Sequence, residues 1–88
     1  MKELKLTIQG ESGLHARPAG LLAAEAQKYE SEIMIEKDSR TINAKSIMSV
    51  LSLGGTKGDQ VIVKINGADE AEAASGIEVL FETVLAHA

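Results

Sequence analysis

His15-Ala16-Arg17-Pro18 places a nucleophilic imidazole, a guanidinium and a helix-starting proline within one tetrapeptide. Proline is tolerated in a helix only in the first turn, where no intrahelical N–H is lost. The helix is therefore expected to begin at about Ala16, with His15 at its amino-terminal edge. A ring at that edge meets unsatisfied backbone N–H groups and the positive end of the helix dipole. Both lower the ring's pKa and favour the neutral, nucleophilic form. The same groups favour a phosphoryl group once it is attached. Arg17 adds a planar, permanently charged partner for phosphate oxygens. Gly13 gives freedom to the preceding loop. Nucleophile, anion site and guanidinium together suit phosphoryl transfer through a phosphohistidine. The plainer alternative is a histidine that caps a helix beside a surface arginine, and the tetrapeptide alone does not separate the two.

Ser46 is the second group with chemistry. It precedes Ile47, Met48, Val50, Leu51 and Leu53, and Gly54-Gly55 then stops the element. That is N-cap chemistry at the start of a short helix. Phosphate on such a serine would sit on a helix amino terminus, add about −1.5 to −2 charge and alter a docking surface without unfolding anything. The alternative is a plain N-cap serine. The helix has too many apolar residues for one buried face. By periodicity Val50 and Leu53 serve the core with Ile47, and Met48 and Leu51 lean outward. An exposed methionine suits binding to several unrelated partners. Ser49 and Ser52 are further hydroxyls nearby. His87 is assigned no function. Two distant histidines and no cysteine make no credible metal site. No glycine-rich phosphate loop is present, so no cofactor and no bound ATP are expected.

The elements that must position these residues follow from periodicity. Leu4, Leu6 and Ile8 alternate with Lys5 and Thr7 as a half-buried strand ending near Gly10. Pro18 to Tyr29 is a helix with Leu21, Leu22, Ala26 and Tyr29 on one stripe. Ile33 to Ile35 is a second strand, and Arg40 to Asn43 a short third one around Ile42. Val61, Val63 and Ile65 mark a fourth strand that Asn66-Gly67 closes. Asp69 and Glu72 have capping-box spacing. Ile77, Leu80, Phe81, Val84 and Leu85 then follow at amphipathic helix spacing, with Gly76 placed for close packing on the sheet. The order β-α-β-β-α-β-α predicts an α+β fold, one antiparallel sheet covered on one side. The first helix can join strands one and two in parallel if strand four lies between them. The expected sheet order is 1-4-2-3.

The chain has 88 residues, 44% hydrophobic and 25% charged, with a net charge of −4. That length supports one core and therefore one domain over 1–88. No apolar run can span a bilayer, and the amino terminus has no signal-peptide stretch. Without cysteine there is no disulfide framework, so a cytoplasmic protein held by packing is expected. Residues 46–88 hold two bases against six acids, which accounts for the whole excess. Ser12 to Ala24 contains no acid but has Arg17; Ser39 to Gly58 contains none but has Arg40, Lys45 and Lys57. Those windows offer an incoming anion the least repulsion. Overall acidity argues against a nucleic-acid partner.

Gly13-Leu14-His15-Ala16-Arg17-Pro18-Ala19 resembles the active-site signature of the histidine-containing phosphocarrier (HPr) family of the bacterial phosphoenolpyruvate:sugar phosphotransferase system. Asn43-Ala44-Lys45-Ser46-Ile47-Met48-Ser49-Val50-Leu51-Ser52-Leu53-Gly54 resembles that family's regulatory serine segment. The interval between the signatures, the chain length and the element order match as well. The resemblance implies an open-faced β-sandwich with the 1-4-2-3 sheet and three helices on one face. It implies that His15 accepts phosphate on Nδ1 from enzyme I and passes it to a sugar-specific enzyme II A component, with Arg17 steadying the phosphate at a helix start formed by Ala16, Arg17 and Pro18. It implies that Ser46 is modified by the ATP-dependent HPr kinase/phosphorylase, and that the modified form binds a catabolite-control transcription regulator. Docking would fall to Ile47, Met48, Leu51 and Gly20, and the carrier would act as a monomer without membrane insertion.

Gly20 departs from the alanine or threonine frequent at that place in the family, and Ser49 stands where glycine is frequent. A paralogue in a nitrogen-related or regulatory relay remains open, except for those lacking the histidine. Two readings from other classes compete. A nucleic-acid module would need a basic face and strand aromatics, and this chain has only Tyr29 and Phe81. A small acylphosphatase-like hydrolase would turn an acyl phosphate over instead of holding it.

Overall fold

A computed structural model describes residues 1–8, 16–54 and 58–83, and gives Ala16 and Arg17 by their backbone. His15, Gly13, Gly55, Lys57, Val84, Leu85 and His87 lie outside the described residues. The elements run β1 (Lys2–Thr7), α1 (Ala16–Ala26), β2 (Glu32–Lys37), β3 (Arg40–Asn43), α2 (Ile47–Leu53), β4 (Gln60–Asn66) and α3 (Glu70–Glu82).

The sheet order is β1-β4-β2-β3, with every neighbouring pair antiparallel. Alternation explains the register. Leu4, Val63, Ile35 and Ile42 line up across the four strands, and Ile65 pairs with Ile33 in a row of the same face. Val61, Val63, Ile65, Ile33 and Ile35 are fully buried on this face, beneath Leu22 of α1, Val50 of α2 and Ile77 of α3. The rows between carry the other chemistry: Glu3, Lys64, Met34 and Asn43, then Lys5, Ile62, Glu36 and Thr41. Lys64 and Glu36 form an ion pair at 2.9 Å there, on the face the helices leave open. The result is the open-faced α+β sandwich that the pattern predicted. Strands β1 and β2 run parallel with β4 between them, and the crossover through α1 joins them.

Three local expectations are corrected. First, α1 stops at Ala26 instead of reaching Tyr29. Lys28 and Tyr29 donate to carbonyls three residues back, which tightens the last turn. Tyr29 Oη then donates to Glu25 Oε2 at 2.8 Å, and Lys28 Nζ donates to Glu25 Oε1 at 3.0 Å. The Lys28 bond holds the Glu25 carboxyl below its ordinary pKa, and the shared carboxylate pushes the Tyr29 phenol up.

Second, Gly76 faces α1 instead of the sheet. A Cβ at Gly76 would overlap Tyr29 Oη and Glu25 Oε2, so the glycine makes room for this cluster.

Third, the Asp69–Glu72 capping box does not form, and Asp69 makes no side-chain cap bond. Its carboxylate turns across the molecule to the entrance of β2. It accepts from the backbone N–H of Glu30 and of Ser31, each at 2.9 Å, and from the buried Ser31 hydroxyl. These bonds, led by the Ser31 hydroxyl, hold the Asp69 carboxyl below its ordinary pKa. Glu70 reaches back instead of Glu72, accepting from Gly67 N–H at 3.2 Å. Gly67 has a φ of 157°, and Ser31 packs so close that a Cβ there would overlap it.

Candidate functional site

The first residue of α1 is Ala16, directly after His15 in the chain. Arg17 and Pro18 complete the opening turn, which contains no acid. Pro18 is buried, and so are Ala19, Leu22, Ala23 and Ala26, which anchor α1 on the sheet. A proline third in the helix lacks only an N–H that would have no intrahelical partner. The helix thus begins where the proline dictates, and the residue that precedes its positive end in the sequence is His15. Of the expected site residues here, Ala16, Arg17 and Pro18 fall in the first turn, and His15 adjoins it. Gly20 lies one turn further on, half-buried, with open space where a side chain would stand.

The second half of the site is α2, which packs beside α1. Ser46 is its N-cap, in an extended conformation (φ −103°, ψ 116°). Its Oγ accepts from Ser49 N–H at 3.3 Å, and its carbonyl accepts from Val50 N–H at 3.0 Å. The hydroxyl proton is not used by this cap, and Ser46 is half-buried, so the proton is available to another acceptor. Ser52 differs, because its hydroxyl proton goes to the Ser49 carbonyl at 2.8 Å. Val50 and Leu53 are buried as expected, and Met48 is 75% exposed. Ile47 and Leu51 exchange the places that periodicity assigned them. Ile47 is exposed, and Leu51 is half-buried against the core. Helical spacing at about 100° per residue puts Leu51 further than Ile47 from the line through Val50 and Leu53, so the neighbouring elements decide the exchange: Leu51 packs against the core cluster, and Ile47, first in the helix, does not. Ile47 and Met48 therefore project together, with Leu51 as their inner edge.

The two described cations of the second acid-free window, Arg40 and Lys45, are tied to backbone carbonyls. Lys45 Nζ donates to the Tyr29 carbonyl at 2.7 Å, while Gln27 Nε2 donates to the Lys45 carbonyl at 2.9 Å. This crossed pair ties the carboxyl end of α1 to the turn before Ser46. Arg40 Nη1 donates to the Ser52 carbonyl at 2.8 Å. Sequence reasoning missed Gln27 and the ties of Lys45 and Arg40, since each bond spans twelve residues or more. A concavity of about 310 Å³ exists elsewhere, lined by Lys5, Glu36, Lys37, Asp38, Ser39, Gln60 and Ile62 on the open sheet face. It shares no residue with the two helix starts. Among the described residues no group of His, Cys, Asp and Glu could hold a metal ion. No described helix is long and apolar enough to cross a membrane.

Residues 2–83 match the family model for the phosphorylation site of the HPr component of the phosphotransferase system. The chain belongs to the HPr family. The phosphocarrier protein HPr of Mycoplasma genitalium is 41% identical over 83 residues, covering 93% of this chain and 94% of that protein. The HPr-like protein Crh of Halalkalibacterium halodurans is 40% identical over 82 residues, covering 93% and 98%. The crystal structure of HPr-C-His from Thermoanaerobacter tengcongensis superposes with a TM-score of 0.94 at 42% identity, covering 100% of this chain and 99% of that one. HPr membership makes the chain a phosphoryl carrier of the phosphotransferase system. A carrier needs no enclosed substrate pocket, because the donor and acceptor proteins complete the site around it.

Proposed function

We propose that this HPr-family chain, as one domain over 1–88, carries phosphate on His15 between enzyme I and sugar-specific enzyme II A components. The observation that carries the reading is the start of α1 at Ala16, immediately after the only histidine in the family signature. In the first step the neutral His15 Nδ1 attacks phosphorus. The bond from phosphorus to enzyme I breaks as the bond to Nδ1 forms, and the enzyme I group leaves with the electron pair. Transfer to enzyme II A repeats the exchange with His15 as leaving group. The first-turn N–H groups and the Arg17 guanidinium offset the phosphoryl charge throughout. Ile47, Met48, Leu51 and Gly20 form the docking surface, the transfer needs no metal or cofactor, and the carrier acts as a cytoplasmic monomer.

Incubation with phosphoenolpyruvate and enzyme I tests this. One acid-labile phosphate per chain is expected, and none in His15→Ala. Incorporation that survives that substitution defeats the reading.

Ser46 is proposed as the site modified by HPr kinase/phosphorylase, creating a form that a catabolite-control transcription regulator binds. The available Ser46 hydroxyl proton supports this choice over Ser52, whose proton is engaged. With ATP and the kinase, an acid-stable phosphate is expected that Ser46→Ala lacks. A phosphate persisting in that variant would move the assignment to Ser49 or Ser52.

A further inference from the structure

Helix α2 has seven residues, two turns, and sends only Val50 and Leu53 fully into the core. A helix this short has no stability of its own in water. Val50 and Leu53 hold it on the sheet, and half-buried Leu51 and the neighbouring α1 limit its tilt, so contacts at its ends add directly to what sets its angle. The carboxyl end presents the carbonyls of residues 50 to 53, and α2 has no basic residue in its own last turn. Gly54 N–H reaches the Val50 and Leu51 carbonyls, at 3.4 and 3.2 Å. Ser52 Oγ takes the Ser49 carbonyl. The Ser52 carbonyl is met by Arg40, from the start of β3, with Nη1 at 2.8 Å. A second guanidinium nitrogen, Nη2, stands 3.5 Å from Ser52 Oγ. Arg40 thus brings to the negative end of α2 the charge that its own sequence lacks, and it ties that end to a strand of the sheet.

We propose that Arg40 is a positioning residue for phosphotransfer: by clamping the carboxyl end of α2 to β3 it sets the angle at which Ile47 and Met48 meet the donor and acceptor proteins. This rests on the reading of α2 as a docking helix. Arg40 acts through the helix end that its Nη1 holds, and not on the phosphate. Its loss changes how well a partner seats, and not the chemistry once the partner has seated.

Arg40→Met keeps the aliphatic stem and removes the donors; Arg40→Lys restores one charged donor. Transfer from phospho-enzyme I is measured against carrier concentration. For Arg40→Met we expect KM for the carrier to rise about fivefold, with kcat within about twofold, as befits one lost charge-assisted hydrogen bond at an exposed site. Arg40→Lys should recover most of that loss. In a Met48→Ala background the Arg40→Met effect should shrink, because the side chain being aimed is gone. Amide hydrogen exchange should quicken in residues 50–54 and stay unchanged in α3. An unchanged KM, or a fall in kcat at constant KM, overturns the proposal. So does full additivity with Met48→Ala, which would make Arg40 a direct partner contact. If the wild-type chain accepts no phosphate from enzyme I, the carrier reading fails instead. The exchange measurement then still decides whether Arg40 holds α2.

Discussion

Helices α2 and α3 lie on the same sheet and divide the work. The thirteen-residue α3 buries Ala73, Ala74, Ile77 and Phe81. The seven-residue α2 buries Val50 and Leu53 and leaves Ile47 and Met48 in solvent. At the start of α3 the Asp69 carboxylate is consumed by Glu30 and Ser31, so it locks the chain and can do nothing else. At the start of α2 the Ser46 hydroxyl accepts one backbone bond and keeps its proton. The difference teaches where stability and function reside. One helix invests its apolar residues in the core; the other leaves Ile47 and Met48 exposed, where the proposed function puts the partner surface.

Substitutions can break this division. Ile77→Ala in α3 should have the largest effect on stability, about 3–4 kcal/mol in urea unfolding, since the fully buried side chain leaves a cavity. Transfer by the fraction that remains folded should be unchanged. A specific transfer defect there would erase the contrast between the helices. Met48→Ala should do the reverse. Its stability should change by less than about 0.5 kcal/mol, as for exposed positions, while KM for partner proteins rises. A large stability loss would place Met48 in the core.

Acid titration sharpens the contrast between the two caps. The Asp69 carboxyl is held below its ordinary pKa by Ser31 and Glu30. Its contribution is therefore fully present above the ordinary carboxylate range and is lost as pH falls through the lowered value. Unfolding midpoints measured across the acid range, from neutral pH downward, should drop in the wild type. Asp69→Asn should begin lower and drop less. An equal drop in both would mean that Asp69 is not the titrating lock. Ser46→Ala should lose only about 0.5–1 kcal/mol, for a single N-cap bond. A larger loss would show that Ser46 holds α2 as firmly as Asp69 holds the entrance of β2.

Much of this architecture is legible in the sequence. The start of α1 follows from Pro18 alone, because the ring forbids any later helical position. The Ser46 cap follows from a hydroxyl before an apolar run closed by Gly54. The sheet order follows from period-two alternation and from a crossover that needs a strand's width to return. The departures from pattern have a common cause. Asp69 and Glu72 have the right spacing for a capping box, but Ser31, 38 residues away, takes the carboxylate. Gly76 reads as a sheet contact, but Tyr29 fills the space. Arg40 and Lys45 read as open cations, and both find backbone carbonyls on other elements.

By itself, then, the sequence determined which residues are candidates for the chemistry, where their helices begin and in what order the strands lie. Each of those depends on neighbours within a turn or on a periodicity that one strand or helix displays alone. The tertiary structure decided which polar groups are spent and which stay available. A hydrogen bond between elements needs both ends brought within about 3 Å, and only the packed sheet register sets that distance. Ser46 keeps its proton, and Arg40 commits a guanidinium N–H to the Ser52 carbonyl, for that reason.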